Sequence, residues 1–275
     1  MVCRIVAIAT GWDREEAMTQ AKTIADWLYD QHTTRQDFRS HADLKAGGLE
    51  IAYAVQDYLV ARRCQARNEI VAGYKIGVTT PRMQEMVGLS HPIAGAIVSG
   101  GIMTAPAELI CANYVRLGLE CEVAVRLSAP LDARKGPPAR AEIAEAIGEI
   151  AAAFEIIEDR NADYKTLDMP SLVADDSWNA GMIAGAPRPL FDLADVQGRL
   201  SINGALVDTG STADVLGHPL NSIAWLCEHL GRREQRIEAG QWIMTGTIIP
   251  TRFAKPGDHY VFEIEDLAPV EVRIV

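Results

Sequence analysis

The sequence contains no long apolar segment of the kind that crosses a membrane or directs export. No stretch approaches the ~20 apolar residues that a membrane-spanning helix requires. The first residues, MVCRIVAIATGWD, include an apolar run of only about six residues, which is shorter than the core of a signal peptide. These absences predict a cytoplasmic protein with no membrane partner.

Paired cysteines are also missing. The five cysteines are odd in number, form no CxxC pair and mostly lie among apolar residues; they are Cys3, Cys64, Cys111, Cys121 and Cys227. Such spacing does not predict a disulfide framework. Buried, reduced thiols are the simplest interpretation, and they agree with a cytoplasmic location.

Positive charge is in the minority, and the common catalytic motifs are absent. The formal net charge is −11 and the isoelectric point is near 5.0, which disfavours nucleic acid and anionic membranes because phosphate groups bind to cationic faces. The chain has no GxSxG elbow, no P-loop and no GxGxxG followed by a helix. Its six histidines lack the spacing of metal ligands.

The chain has enough apolar sequence for a large core, and the apolar residues follow a helical pattern in its first part and a strand-like pattern in the rest. At 275 residues and 48% hydrophobic composition it is globular. Residues 1–67 are predicted to form a helical region, with one helix from Asp13, a candidate N-cap, to Tyr29 and another from Ile51 to about Arg63.

Residues 68–275 are predicted to form a β-rich domain, because short apolar runs are cut there by glycine and proline. Thr80 before Pro81 predicts the start of a short helix, and Asn203-Gly204 predicts a hairpin. A longer helix is expected from about Ala139 to Glu149, followed by a strand at AAAFEII.

One strand carries two acidic residues on the same face. Leu117 to Leu127, LGLECEVAVRL, alternates with period two, and side chains two apart on a strand lie ~6.5 Å from each other on one face. Glu120 and Glu122 therefore either face water, where their repulsion is screened, or share a cation. An E-x-E pair on a strand is more often a solvated face, so these residues alone leave both interpretations open.

Two further charged residues interrupt apolar sequence. Glu155 would complete an oxygen-only set with Glu120 and Glu122, and such a set suits Mg²⁺ or Mn²⁺. Lys75 lies among apolar residues in a predicted strand. If buried, it would have a lowered pKa and could transfer protons near neutral pH; alternatively, its stem lies on the sheet and its ammonium reaches solvent.

Six ordered motifs resemble a known family. They are GYKIGVTTPRMQEMVGL, LGLECEVAVRL, AFEIIEDR, VADDSWNAGMIAG, LGHPLNSIAWL and AGQWIMTGTIIP, and together they span nearly the whole chain. They resemble the 2-keto-4-pentenoate hydratase and 4-oxalocrotonate decarboxylase family of the fumarylacetoacetate hydrolase superfamily. The resemblance implies an α+β fold, a mixed β-roll with a small N-terminal helical region, that binds Mg²⁺ or Mn²⁺ and assembles as a homo-oligomer.

The resemblance also implies that residues 68–275 are the catalytic domain with the metal site, and it implies roles for individual residues. Glu120, Glu122 and Glu155 match metal ligands, Lys75 matches the catalytic lysine, and Thr247 matches a contact to the substrate carboxylate. Two positions depart from the family pattern and are expected at the substrate. Gly100 stands where an aspartate is usual, and Trp178, next to Ser177, stands where the serine of a DNAS motif is usual.

The function implied by the resemblance is a metal-dependent hydratase that acts on 2-hydroxy-2,4-dienoates or 2-oxo-4-enoates through a stabilised enolate. The first alternative is decarboxylation of a 2-oxo-3-enedioate. An acylpyruvate C–C hydrolase, for which no His/Glu pair is found, and a catalytically impaired subunit that associates with a related hydratase or decarboxylase are further alternatives. The candidates for binding a distal carboxylate are Arg82, Arg126, Arg160 and Arg252.

Overall fold

The computed structural model describes residues 14–134 and 136–275. The α-helices in these ranges are α1 Arg14–Thr33, α2 Ala42–Arg67, α3 Pro81–Val87, α4 Arg140–Ala146, α5 Met169–Ala174 and α6 Pro219–Arg232. The strands are β1 Val71–Gly77, β2 Ile93–Val98, β3 Ile102–Thr104, β4 Ala107–Leu109, β5 Leu117–Leu127, β6 Ile147–Glu158, β7 Asn179–Ala184, β8 Gln197–Ile202, β9 Ala205–Ser211, β10 Trp242–Met244, β11 Ile249–Phe253, β12 His259–Ile264 and β13 Val270–Ile274. The expected combination of a mixed β-roll with helices is confirmed.

The larger sheet is organised around β5 and β6. Its strand order is β2-β1-β10-β5-β6-β7-β3, and β11 also pairs with β5. β5 and β6 are antiparallel and pair from Leu117 opposite Glu158 to Leu127 opposite Ile147. The alternation of β5 predicted a strand with these same ends, and most of its side chains are buried.

A smaller sheet packs against this centre. Its order is β4-β13-β12-β8-β9. The ring of Phe154 on β6 lies 6.3 Å from the ring of Tyr260 and 6.1 Å from the ring of Phe262, both on β12. The predicted hairpin is confirmed between β8 and β9, where Asn203 and Gly204 both have positive φ, as a tight two-residue turn requires.

Of the two N-terminal helices, α2 packs against β2 of the larger sheet and α1 packs against α2. The predicted N-cap Asp13 and Cys3 fall outside the described residues. α2 starts earlier than expected and is kinked at Gly48, whose φ is 67°. The amide of Gln56 in α2 donates to the carbonyls of Ala94 in β2 and Val173 in α5, so α2 is joined to both elements. Within the described ranges, no helix combines the length and the apolar character needed to span a membrane.

One helix is shorter than the sequence predicted. The expected helix to Glu149 is wrong beyond Ala146, because Ile147 and Ile150 belong to β6. Ile150 exchanges backbone hydrogen bonds with Arg188 and pairs with β5 on its other side. An isoleucine every three or four residues fits a helix, but pairing with two neighbouring segments selects the strand.

Candidate metal centre and active-site cavity

Three carboxylates meet where β5 pairs with β6. Glu120 lies directly opposite Glu155 in the ladder, and Glu122 is two residues further along the same face of β5. One oxygen from each of the three lies within 4.8 Å of the others. Glu122 and Glu155 are fully buried. The solvated-face interpretation of the E-x-E pair is therefore wrong.

The negative charge of this cluster is only partly compensated. Burial raises the pKa of Glu120 and of Glu122 above the ordinary range, and repulsion from Glu155 adds to both shifts. Within the described residues, Oε1 of Glu122 and Oε2 of Glu155 are buried without a hydrogen-bond partner. Buried acceptors of this kind normally have a partner. An oxygen-liganded divalent cation fits all these features, because it would neutralise the repulsion and coordinate the free oxygens.

Neighbouring groups fix the orientation of each carboxylate. The hydroxyl of Thr251 donates to Glu120, the backbone N–H of Gly246 donates to Oε2 of Glu122 over 2.8 Å, and the amide of Asn179 donates to Oε1 of Glu155 over 2.9 Å. Sequence reasoning missed these three residues as parts of the site. The only signal was the position of Asn179 and Gly246 within the quoted motifs.

Lys75 faces the same cluster from β1. Its Nζ lies 3.2 Å from Oε1 of Glu155, and its side chain is buried. Burial favours the neutral amine, but attraction by Glu155, Glu120 and Glu122 outweighs it and raises the pKa of Lys75. The expectation of a lowered pKa is thus wrong for the protein without a cation. Burial excludes two alternative interpretations: that the carboxylate pair faces solvent, and that the ammonium of Lys75 reaches solvent.

An inner cavity of about 110 Å³ opens beside these groups. The predicted site residues among those lining it are Lys75, Glu120, Ser177, Trp178 and Thr247. It adjoins an outer cavity of about 1170 Å³, because both are lined by Met83, Glu120, Tyr164, Thr247 and Thr251. A small molecule entering through the outer cavity would thus reach Lys75 and Glu120.

Ser177 and Trp178 are presented by a strained turn. Asp176, Ser177 and Trp178 have φ values of 56°, 50° and 60°, a left-handed conformation that costs free energy in residues other than glycine. The hydroxyl of Ser177 donates to the carbonyl of Ala94. The indole of Trp178 packs edge-on between Phe38 and Tyr164, so it forms a fixed wall of the inner cavity.

Thr247 reaches the cavity from the segment between β10 and β11. Its hydroxyl lies 2.5 Å from the carbonyl oxygen of Ile249 and 3.3 Å from that of Cys121. A hydroxyl has one proton to donate, so its oxygen keeps lone pairs that can still accept a hydrogen bond.

Gly100 does not lie at the cavity, which corrects the expectation that it contacts substrate. In the β1–β2 ladder, Gly95 pairs with Lys75, and Gly100 follows five residues later, up to ~16 Å further along the strand direction. A Cβ at Gly100 would approach Glu69 to 2.1 Å. The missing aspartate therefore removes no group from the inner cavity.

Of the four candidate arginines, Arg82 lines the outer cavity. Arg126 pairs with Glu149 on the exposed surface, and fully buried Arg160 pairs with Asp175. Arg252 pairs with Asp208. None of these three is among the residues that line the inner or the outer cavity.

Comparison with known proteins identifies the family. A family model described as fumarylacetoacetate (FAA) hydrolase C-terminal matches residues 63–275, and the chain belongs to this family. A 2-keto-4-pentenoate hydratase from Paraburkholderia xenovorans strain LB400 is 31% identical over 233 residues, 82% of this chain and 83% of the relative. A 4-oxalocrotonate decarboxylase from Pseudomonas putida is 28% identical over 269 residues, 96% of this chain and 98% of the relative.

A solved structure extends the comparison to three dimensions. The 4-oxalocrotonate decarboxylase from Pseudomonas putida G7, complexed with magnesium and adipate, superposes with a TM-score of 0.87 at 28% identity. The alignment covers 94% of this chain and 98% of that chain. A relative with the same fold is thus known in complex with magnesium.

Proposed function

We propose that this protein is a divalent-metal-dependent lyase that hydrates 2-hydroxy-2,4-dienoates or 2-oxo-4-enoates through an enolate. The observation that carries the proposal is the convergence of Glu120, Glu122, Glu155 and Lys75 beside one cavity. The choice of reaction is supported by the relatives, which are a 2-keto-4-pentenoate hydratase and a 4-oxalocrotonate decarboxylase.

In this proposal, Glu120, Glu122 and Glu155 hold Mg²⁺ or Mn²⁺. The cation would supply Lewis-acid stabilisation of the negative charge that develops on the 2-oxygen of the substrate. Thr251, Gly246 and Asn179 keep the three carboxylates in place through the hydrogen bonds described above.

Lys75 is the proposed acid–base residue. Its Nζ lies at the wall of the inner cavity and holds a proton next to Glu155. Transfer of that proton to C5 of the dienol, with the 2-hydroxyl proton passing back to the Lys75 amine, gives the conjugated 2-oxo-3-enoate, and water then adds at C4 to give a 4-hydroxy-2-oxo acid. Thr247 and Ser177 line the space for the carboxylate end, and Trp178 limits its width.

Decarboxylation of a 2-oxo-3-enedioate is the second candidate. It is supported by the 4-oxalocrotonate decarboxylase relative, which aligns over 96% of this chain, whereas the hydratase aligns over 82%. Loss of CO₂ from such a substrate leaves the same kind of enolate, so the two reactions need the same charge stabilisation.

Variants of the cluster test the proposal. Activity on a dienoate, followed by ultraviolet absorbance with added Mg²⁺ or Mn²⁺, is expected to be lost in Glu120→Gln and Lys75→Ala. Glu149→Gln, a partly exposed residue on the same strand as Glu155, is the matched control and should keep full activity. Unchanged activity in both site variants would refute the assignment. Release of CO₂ from an enedioate separates decarboxylase from hydratase.

We also propose that the protein is a cytoplasmic homo-oligomer and that residues 68–275 form the catalytic unit. The four cysteines in the described ranges are free, as expected for a reducing compartment. The ligands and Lys75 all lie after residue 67. Leu206 and Val207 are exposed apolar side chains of the kind that assembly covers. Sedimentation equilibrium measures the oligomeric state.

A further inference from the structure

The outer cavity is much larger than the substrate's reactive end requires. Its volume is about 1170 Å³, compared with about 110 Å³ for the inner cavity. Three segments contribute to its wall: residues 80–83 at the start of α3, residues 209–217 at the end of β9 and after it, and residues 247–251 before and within β11. A substrate held at Glu120 would extend its far end into this space.

Arg82 is the single cationic side chain among the described residues that line the outer cavity. The other charged residues there are Glu120, which belongs to the carboxylate cluster, and Asp214, which accepts from the backbone N–H of Ser211. In the described part of the chain, Arg82 forms no ion pair or hydrogen bond. Its guanidinium is therefore available to a bound anion, unlike those of Arg126, Arg160 and Arg252.

The wall of the outer cavity is largely apolar. Met83, Leu216, Ile248 and Ile249 line the outer cavity with Arg82. Apolar side chains suit a hydrocarbon chain, and a guanidinium suits a carboxylate, which it can bind through two parallel hydrogen bonds. The outer cavity thus offers an apolar wall and one cation in a space that also borders Glu120 of the carboxylate cluster.

We propose that Arg82 binds the distal carboxylate of the substrate, so that the preferred substrate is a 2-oxo dicarboxylate. This inference rests on the proposed function, whose reactive end it places at the carboxylate cluster. Arg82 acts here as a specificity-determining residue and takes no part in the proton transfer assigned to Lys75.

The test compares two probes that differ only at the far end: 2-oxohexanoate and 2-oxohexanedioate. Calorimetry with saturating Mg²⁺ measures their binding to the wild type, Arg82→Gln, Arg82→Lys and the control Arg126→Gln. The wild type should bind the dioate at least about tenfold more tightly, as expected for a charge-assisted bidentate contact. Arg82→Gln should lose this preference, Arg82→Lys should keep part of it, and Arg126→Gln should keep all of it.

Two results would overturn the assignment: equal binding of both probes by the wild type, or a dioate preference that survives in Arg82→Gln. Arg82 is exposed, so its variants should melt at the wild-type temperature. Turnover is measured separately with unsaturated mono- and dicarboxylates. A preference for the dioate that depends on Arg82, without turnover, would support the distal-carboxylate site and refute the lyase function. Turnover without a preference for the dioate would support the lyase function and refute the distal-carboxylate site.

Discussion

At the scale of single residues, the site is defined by a charge imbalance. With all three carboxylates ionised, as metal ligands must be, the groups Glu120, Glu122, Glu155 and Lys75 would together carry a net charge of −3 + 1 = −2. Burial makes this imbalance costly, because little water is present to screen it. A divalent cation carries a charge of the same size and opposite sign. It would therefore neutralise the charge that Lys75 alone leaves on the cluster.

Replacing Lys75 with methionine should separate catalysis from metal binding. The variant keeps an unbranched side chain but holds no proton, so turnover should fall by about 10²–10⁴-fold. Loss of a positive charge beside the carboxylates should leave the affinity for Mn²⁺ unchanged or increase it. Initial rates and a Mn²⁺ titration followed by electron paramagnetic resonance provide the two measurements.

The outcome that would contradict this separation is a Lys75→Met protein that no longer binds Mn²⁺. Lys75 would then be needed to assemble the carboxylates. Glu122→Gln is the complementary variant, because it should lose both Mn²⁺ binding and turnover.

Truncation of Trp178 should destabilise the folded protein, because the packing contacts of its ring are lost. Its ring is 6% exposed and contacts Phe38 and Tyr164 at 5.4 and 5.5 Å between ring centroids. Trp178→Ala should therefore lower the free energy of unfolding by about 3–5 kcal/mol. Trp178→Phe keeps most of the volume and should cost much less. Denaturant titration measures both, and equal losses in the two variants would count against a packing role.

At the scale of elements, the strained turn at residues 176–178 is anchored by ionic groups on neighbouring elements. Asp176 accepts from the backbone N–H of Ala96 in β2 and from Arg63 in α2. Asp175, the preceding residue, pairs with Arg160. These contacts hold the backbone conformation that aims Ser177 and Trp178 at the cavity, so α2 supports the site without lining the inner cavity.

The stability of this anchored turn should depend on pH. Burial, opposed by Arg63 and Lys75 and reinforced by Asp175, raises the pKa of Asp176 from 3.8 to about 7. Because the folded-state pKa exceeds the unfolded one, folding is favoured as pH falls through 7 and penalised above it. The melting temperature of the wild type should decrease from pH 6 to pH 8 by an amount that Asp176→Asn removes.

Asp175→Asn is the matched control for this pH dependence. Burial is outweighed there by His32 and Arg160, which lower the pKa of Asp175 to about 2. Its carboxylate stays ionised from pH 6 to pH 8, so the variant should be destabilised equally at both values. A wild-type pH profile retained in Asp176→Asn would show that another group is responsible.

Elements with a strong local signal were predictable from the sequence, and those decided by tertiary pairing were not. The alternation of β5 gave its ends and the shared face of Glu120 and Glu122, and Thr80 gave the N-cap of α3. Residues 147–149 satisfied a helical pattern as well as a strand pattern, and only pairing with β5 decided between them. Short apolar runs are ambiguous for this reason.

In the site, too, some residues were predictable from the sequence and others were not. Carboxylates and a lysine inside apolar strands stand out in the sequence, because charge is rare there. Thr251, Gly246 and Asn179 do not stand out, since their roles arise only when the folded chain brings them to Glu120, Glu122 and Glu155. Gly100 was misplaced because alignment to a motif says nothing of which way a turn points after β2.

At the scale of the whole molecule, the carboxylate cluster lies on the two central strands of the fold. β5 and β6 form the middle of the larger sheet, and Phe154, next to Glu155, packs on the smaller sheet. Repulsion within the cluster therefore acts on the elements that hold both sheets together. Occupation of the site should stabilise the entire molecule and not only a local loop.

The whole-molecule prediction is that Mg²⁺ or Mn²⁺ raises the melting temperature and that a chelator reverses the increase. A ligand at 100 times its Kd adds about 2.7 kcal/mol to the free energy of unfolding. For a chain of this length, each kcal/mol shifts the melting temperature by about 2–4 °C, so an increase of about 5–11 °C is expected. Differential scanning calorimetry with and without EDTA measures it. Glu122→Gln should show no increase, whereas Glu149→Gln should show the full one; an equal increase in both would place the stabilising cation elsewhere.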